Sequence, residues 1–232
     1  PAQCFHAAIE AVRIALKYRT PVILLSDGYL ATGSEPWSLP DVTTLPDISV
    51  PFTTEPNHID DEGNPVYWPY LRDDETLARP WAIPGTPGLM HRVGGLEKAD
   101  GPGNIDYTPG NHEKMVHLRA EKIERIANDI PPTVINGDAD ADVLVLGWGS
   151  TWAAIDAAVQ RRTRAGKRVA SAHIMHLNPL PPDLGDILHR YKRVIVPELN
   201  MGQLTQLIRG KYLVDANALT KVQGLPFKSR EI

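Results

Sequence analysis

The C-terminal half of this sequence predicts an α/β fold built on a doubly wound parallel sheet. Between residues 142 and 215, short apolar runs alternate with longer stretches that carry apolar residues at helical spacing. Strands that alternate with helices form parallel pairs joined by crossover helices. The apolar runs are hydrophobic on both faces, which is typical of strands covered by helices on two sides. We therefore predict an α/β domain over residues 111–232, preceded by one helix and one strand that find no sheet within the chain.

The composition excludes several classes of function. A net charge of -4 gives no bulk attraction to nucleic acid or to anionic membranes. No apolar run approaches the roughly 20 residues that a bilayer-spanning helix needs. The single cysteine, Cys4, excludes an internal disulfide and an iron–sulfur cluster held by four cysteines of this chain. These features favour a cytoplasmic protein, and we expect Cys4 to be a buried, inert thiol.

The first elements are a helix over residues 2–18 and a buried strand over residues 22–25. Thr20-Pro21 ends the helix because the residue before a proline is pushed out of the helical region. The strand is apolar on both faces, as a central parallel strand is, yet no short strand follows to pair with it. We predict that its sheet lies upstream or on another chain, so that the sequence is part of a larger enzyme. The apolar stripe of the helix is formed by Phe5, Ala8, Ile9, Val12 and Leu16.

Residues 32–110 have the composition of a long connector. Twelve of the 21 prolines and nine of the 18 glycines lie here, and both residue types interrupt regular structure. A flexible tether has no use for many aromatic side chains, so we predict an ordered strap docked on apolar surface. Its predicted anchors are Trp37, Phe52, Tyr67, Trp68, Tyr70 and Trp81.

Residues 111–130 return to helical spacing. The predicted apolar stripe is Val116, Ala120, Ile123, Ala127 and Ile130, and the predicted polar face is Glu113, Lys114, Glu121, Lys122 and Arg125. The remaining elements are predicted strands at residues 142–146, 168–174 and 193–196, predicted helices at 150–164, 183–191 and 201–212, and a short edge strand at 213–215.

The first candidate site is the turn Gly147-Trp148-Gly149-Ser150-Thr151, between a strand and a helix. Free N–H groups and the helix dipole at Gly149, Ser150 and Thr151 would attract an anion such as a cofactor phosphate. The turn lacks the full G-x-G-x-x-G spacing and a P-loop lysine, so a tight capped turn without a ligand is the competing interpretation. Asp27, in the turn after residues 22–25, is a further cofactor-binding candidate.

The second candidate is the segment that follows the strand at residues 193–196. Open α/β sheets place ligand crevices at the carboxyl ends of their strands. Glu198, Asn200 and Gln203 are candidates for a subunit or cofactor interface, and capping of the next helix is the alternative. A metal pair formed by His173 and His176 is disfavoured, because residues three apart on a strand point to opposite faces. His91, Arg92 and Lys98 surround Gly94-Gly95, where an anionic ligand and an exposed turn both remain open. No catalytic residue and no metal site stands out.

Eight short segments, in order, resemble the C-terminal third of the alpha subunit of 2-oxoacid:ferredoxin oxidoreductases, most closely the actinobacterial 2-oxoglutarate type. They are CFHAA at 4–8, YRTPVILLSDGYLA at 18–31, HRVGGLE at 91–97, GWGST at 147–151, HLNPLP at 176–181, PELNMGQL at 197–204, YLVD at 212–215 and GLPF at 224–227. Two positions depart from the family pattern: Ala153, where glycine is common, and Lys98, where histidine is common.

The resemblance implies a layout and a reaction. Residues 1–31 would end the domain that holds the pyrimidine part of thiamine diphosphate, residues 32–110 would be the connector, and residues 111–232 would be a transketolase C-terminal-like domain. The enzyme would convert a 2-oxoacid and coenzyme A to acyl-CoA, CO2 and reduced ferredoxin. Thiamine diphosphate, Mg²⁺ and the iron–sulfur cluster would lie mostly outside this chain, with a beta subunit, a second alpha subunit, the N-terminal part of the alpha subunit and ferredoxin as partners.

Two other functions remain open at this stage. The chain could be a non-catalytic assembly module, or a nucleotide-binding dehydrogenase-like domain that uses residues 147–151. The sequence Ile174-Met175-His176 argues against the second, because it stands where a dinucleotide-binding domain has a ribose-binding Asp or Glu.

Overall fold

The computed structural model describes all 232 residues, which divide into two compact units. The first, here called the sheet unit, contains residue 1 and residues 25–35 and 127–232. The second, the loop-rich unit, contains residues 2–24 and 36–126. None of the helices combines the length and the apolar character needed to cross a membrane. The domain boundaries that the family resemblance implies stay a prediction beside this division.

The loop-rich unit begins with helix α1, Ala2–Lys17, as predicted. Ile14 is its buried residue, and Tyr18 just beyond its end is only 3% exposed. The helix ends at Lys17, and Arg19 takes a left-handed conformation with φ 46° just before Thr20-Pro21. Cys4 is half-buried, and the expectation of a fully buried thiol is therefore wrong.

Residues 22–25 do not form the predicted strand. They have no regular secondary structure and pair with no strand of the chain, and the side chain of Ile23 is 83% exposed. A strand exists only where its backbone N–H and C=O groups find a neighbouring strand. The assignment as a strand is wrong for this chain, and a sheet upstream or on another chain that would accept these residues stays a prediction. The next element is α2, Gly28–Thr32, a single helical turn in the sheet unit.

The connector is ordered by short pairings and a few aromatic contacts. Strands β1 (Phe52–Thr53) and β4 (Trp81–Ala82) pair in parallel, and β2 (His58–Ile59) pairs antiparallel with β3 (Pro65–Val66). The indole N–H of Trp81 donates to the carbonyl of Leu16 at 2.9 Å, and Tyr67 is buried. Trp37 and Phe52 are 44% and 51% exposed, so they are weaker anchors than predicted. A 3-10 turn, Val42–Thr44, precedes these strands.

Helix α3, Pro109–Arg125, turns a different face inward from the one predicted. Met115 is 1% exposed and Lys122 is 8% exposed, whereas Val116 is 43% exposed. Of the predicted stripe, only Ile130, beyond the 3-10 turn Ile126–Asp129, is fully buried. The buried face therefore differs from the predicted stripe, and it includes Lys122, which the sequence predicts on the polar face.

The sheet unit contains five strands and three further helices, largely where the alternation predicted them. In chain order they are β5 (Ile135–Gly137), β6 (Val143–Trp148), α4 (Trp152–Arg164), β7 (Ala170–Ile174), α5 (Leu184–Arg190), β8 (Arg193–Glu198), α6 (Gln203–Tyr212) and β9 (Ala216–Thr220).

The strands are ordered β5-β7-β6-β8-β9, and all neighbours are parallel except β5 against β7. Val145 packs with Ile155 and Val159 of α4 in one core cluster, while Leu144 and Leu146 pack with α5 and α6 in another. Helices thus cover both faces, and the prediction of a doubly wound sheet is confirmed. We missed β5, and the edge strand predicted at residues 213–215 is displaced to β9 because Leu213 is the left-handed C-cap of α6.

Candidate functional site

The two sequence candidates lie at one edge of the sheet. Because β6 and β8 are parallel neighbours, their carboxyl ends meet at that edge. The chain leaves β6 toward β7 on one side of the sheet and later returns to β8 on the other. The point at which the connections change direction is where open α/β sheets form ligand crevices. The segments 147–151 and 198–203 flank that point.

The turn after β6 is tight and closely packed. A side chain on Gly147 would lie 2.4 Å from Ile155 and 3.0 Å from His173, so only glycine fits there. Gly149 has φ 57° and open space around it. The hydroxyl of Thr151 donates to the Trp148 carbonyl at 2.8 Å and accepts from the Trp148 N–H at 3.3 Å. Both hydrogen bonds of the Thr151 hydroxyl lie within the turn. Gly149 and Ser150 are therefore the residues of the turn that a ligand could reach.

The structure brings Asp27 and Ser150 together, although 123 residues separate them. The hydroxyl of Ser150 donates to one carboxylate oxygen of Asp27. The other carboxylate oxygen accepts the Leu30 N–H at 2.9 Å and caps α2. Nothing in the sequence pairs these two positions. Their cofactor-binding role stays a prediction, but two independently chosen candidates now share one hydrogen bond.

His173, on β7, lies beside this turn, close to Gly147. The sequence does not predict this structural role. The Nδ1 atom of His173 is buried without a hydrogen-bond partner. Burial lowers the pKa of His173 to about 4, so the imidazole is neutral at pH 7. A cavity of about 10 Å³ beside it, lined also by Asn136 and Asp156, has room for about one water molecule. His173 therefore supports the turn rather than facing a ligand directly.

Glu198 and Asn200 cap helix α6, in agreement with the capping interpretation. The carboxylate of Glu198 is completely buried and accepts the backbone N–H groups of Leu204 and Thr205, each at 2.9 Å. It also accepts the Thr205 hydroxyl at 2.8 Å. Asn200 Oδ1 accepts the Gly202 N–H at 2.7 Å and the Gln203 N–H at 3.0 Å.

The burial of Glu198 limits the interface hypothesis. A side chain without exposed surface cannot contact another subunit directly in this conformation. Gln203 is exposed and Asn200 is partly exposed, so the predicted interface role stays open for these two residues.

The turn around Gly94-Gly95 is stabilised by hydrogen bonds from the side chain of Lys98. The ammonium of Lys98 is buried and donates to the carbonyls of Gly94, at 3.1 Å, and Leu96. Lys98 is thus used by its own turn, and only His91 and Arg92 remain near the surface as groups that could meet an anion.

Several known proteins are similar to this chain. Residues 1–107 match the family model described as pyruvate flavodoxin/ferredoxin oxidoreductase, thiamine diP-bdg. The chain is 53% identical over 233 aligned residues to 2-oxoglutarate oxidoreductase subunit KorA of Mycobacterium tuberculosis, covering 100% of this chain and 34% of that protein. It is 31% identical over 220 residues to 2-oxoacid:ferredoxin oxidoreductase 1, subunit alpha, of Aeropyrum pernix, covering 89% of this chain and 32% of that protein.

One solved structure is similar across almost the entire chain. It is the 2-oxoglutarate:ferredoxin oxidoreductase from Magnetococcus marinus with 2-oxoglutarate, coenzyme A and succinyl-CoA bound. The TM-score is 0.82 at 32% identity, and the match covers 94% of this chain and 37% of that chain. The chain thus spans about a third of the length of these relatives.

Proposed function

We propose that the chain, which belongs to the family of 2-oxoacid:ferredoxin oxidoreductase alpha subunits, acts within a 2-oxoglutarate:ferredoxin oxidoreductase. It is homologous along its whole length to part of such subunits. The reaction is the conversion of 2-oxoglutarate and coenzyme A to succinyl-CoA, CO2 and reduced ferredoxin. The observation that carries the proposal is the 53% identity, which extends over the whole chain to a relative named as a 2-oxoglutarate oxidoreductase subunit.

The cofactors and partners of this reaction form the finer part of the proposal. Thiamine diphosphate supplies the decarboxylation chemistry, with Mg²⁺ on its diphosphate, and an iron–sulfur cluster passes electrons to ferredoxin. The partners are a beta subunit, a second alpha subunit, the remaining part of the alpha subunit, and ferredoxin. The similarity of residues 1–107 to a thiamine diphosphate-binding family model supports the thiamine cofactor.

The residues of this chain do not by themselves fit the diphosphate or the iron–sulfur cluster. The carboxylate of Asp27 beside Ser150 disfavours a diphosphate in the turn after β6, because like charges repel. A single cysteine cannot hold a four-cysteine cluster. No step of the reaction is therefore assigned to a side chain of this chain.

The proposed role of the chain is to complete the thiamine domain and to hold subunits together. Residues 22–25 present apolar side chains and an unpaired backbone, which suits addition to a sheet. Asn200 and Gln203 are the proposed interface residues. Asp27, Gly149 and Ser150 are proposed to face the pyrimidine part of thiamine diphosphate rather than its diphosphate, with Thr151 shaping their turn.

The function is tested on the assembled enzyme that contains this chain. We expect coenzyme A-dependent oxidation of 2-oxoglutarate with reduction of ferredoxin, and loss of the activity when thiamine diphosphate is removed. Faster turnover of pyruvate than of 2-oxoglutarate would contradict the proposed substrate.

The Asp27 proposal has a matched control within the chain. Asp27 and Asp41 each cap a short helical turn through a side-chain oxygen. We expect Asp27→Ala to raise the thiamine diphosphate concentration for half-maximal activity, and Asp41→Ala to leave it unchanged. Equal effects of the two substitutions would mean that Asp27 acts only as a helix cap.

A further inference from the structure

Four cationic side chains converge inside the loop-rich unit. They are Arg19, Arg72, Arg79 and Lys122, here called the cationic cluster. Lys122 is 8% exposed on the inner side of α3, and the three arginines are half-buried. None of them belongs to the candidate site at the sheet edge.

The contacts of the cationic cluster are with uncharged groups. Arg19 donates to the Pro80 carbonyl, and its guanidinium lies 4.6 Å from the ring centre of Trp81. Arg79 lies 4.4 Å from the ring centre of Tyr70.

The other two members likewise bond to backbone carbonyls. Arg72 donates to the carbonyl of Leu77 at 2.9 Å, and Lys122 Nζ donates to the carbonyl of Arg19 at 3.3 Å. None of the four forms an ion pair with a carboxylate within 4.0 Å; Asp100 and Glu97 pair with Lys114 and Arg119.

No direct ion pair compensates the cationic cluster; burial lowers the pKa of Arg72, and the more distant charge of Asp100 opposes that shift. Burial, and then the charges of Arg72 and Arg79, lower the pKa of Lys122 to about 8. Burial is also the main cause that lowers the pKa of Arg19 and of Arg72. In addition, Nε of Arg72 is a buried donor without a hydrogen-bond partner. Buried charge and a buried free donor both cost free energy unless an anion accepts from them.

We propose that the cationic cluster is a binding site for a phosphate group. A guanidinium presents a planar set of donors that matches two oxygens of a phosphate, and several neighbouring cations suit a dianion better than a single carboxylate. The free Nε of Arg72 supplies a donor that the protein itself leaves unused. The site goes beyond the proposed oxidoreductase function and does not depend on it.

The test is equilibrium dialysis of the intact protein against radiolabelled inorganic phosphate, at ionic strength held constant with sodium chloride. We expect saturable binding of one phosphate per chain and about tenfold weaker binding by Arg79→Gln, since one lost charge-assisted contact is worth about 1.4 kcal/mol or more. The matched control is Arg162→Gln, which removes an exposed arginine of α4 and should leave binding unchanged.

Two further measurements make the result decisive. Lys122→Met removes one positive charge of the cationic cluster on a different element, α3, and should also weaken phosphate binding. The test therefore does not depend on the Arg79 variant remaining folded. Competition by coenzyme A distinguishes a phosphate carried by a larger ligand from free phosphate, and either source supports the site. No saturable binding by the unsubstituted protein up to about 10 mM phosphate, or equal binding by the Arg79 variant, overturns the proposal.

Discussion

The Glu198 carboxylate shows how one buried charge organises the end of a strand and the start of a helix. It lies at the last residue of β8 and accepts three hydrogen bonds from the first turn of α6. The free N–H groups of a helix N-terminus and the helix dipole both favour a negative charge at this place. The interaction orders the segment between them, including Asn200 and Gln203.

We predict that Glu198→Ala lowers the free energy of unfolding by about 2–4 kcal/mol, because buried N–H groups lose their acceptor. Urea denaturation followed by circular dichroism measures the change. The control, Glu113→Gln, removes an exposed carboxylate of α3 and should stay within about 0.5 kcal/mol of the unsubstituted protein. A similarly small effect of Glu198→Ala would show that the cap contributes little.

His173 gives the chain a defined acid sensitivity. Its pKa is about 4 in the folded state and 6.5 in the reference state. Above pH 6.5 the imidazole is neutral in both states, so its contribution to stability is fully present. Between pH 6.5 and about 4 only the unfolded state binds the proton, and stability falls by up to about 3 kcal/mol.

We predict that His173→Asn loses less stability than the unsubstituted protein when the pH falls from 7 to about 4.5, because asparagine binds no proton. Urea denaturation at several pH values gives the difference in slope. His117→Gln, which removes an exposed histidine, should keep the original slope. Parallel slopes for all three proteins would mean that His173 is protonated in the fold.

At the scale of elements, α3 illustrates how a helix can be located correctly and oriented wrongly. Its length and spacing predict a helix, but apolar residues occur on more than one side of it. The aliphatic stem of Lys122 can be buried, so a lysine does not mark the polar face reliably. The buried face contains Met115 and Lys122, and Val116 lies in solvent.

Two adjacent residues of α3 test this orientation. Met115→Ala should destabilise the chain by about 2–4 kcal/mol, because it leaves a cavity around a side chain that is 1% exposed. Val116→Ala should change stability by less than about 0.5 kcal/mol, since alanine also favours the helix. Thermal and urea unfolding of both variants measure the contrast. The reverse order of effects would restore the face predicted from the sequence.

At the scale of the whole molecule, residues 22–25 present an apolar, unpaired segment. The side chains of Ile23 and Leu25 are 83% and 62% exposed. Exposed aliphatic side chains beside free backbone donors are typical of a strand that joins a sheet from another segment or chain. This agrees with the proposed role in completing a thiamine domain.

We predict that the isolated 232 residues do not decarboxylate 2-oxoglutarate even with thiamine diphosphate and Mg²⁺, because no residue here is assigned to the reaction. The backbone amides of residues 22–25 should exchange with deuterium rapidly in the isolated chain and slowly in the assembled enzyme. Mass spectrometry after exchange measures both. Turnover by the isolated chain, or strong protection of this segment there, would contradict the assignment.

The α/β alternation, the positions of most helices and strands, and the family could all be predicted from the sequence. These depend on local patterns: apolar runs, helical spacing, and short motifs in a fixed order. The antiparallel strand β5 was not predicted, because its three residues carry no strand pattern: Asn136 and Gly137 are not apolar. The strand at residues 22–25 was wrong because pairing needs a neighbour that the pattern cannot supply.

The arrangement of the polar groups, in contrast, depends on tertiary packing. The contact between Asp27 and Ser150, the burial of Glu198, and the convergence of the cationic cluster all join residues that are distant in sequence or lie on faces that periodicity leaves ambiguous. A local pattern states which residues can share an element. Which surface that element buries, and which charges then meet, follows from packing between elements, because burial depends on what covers a face.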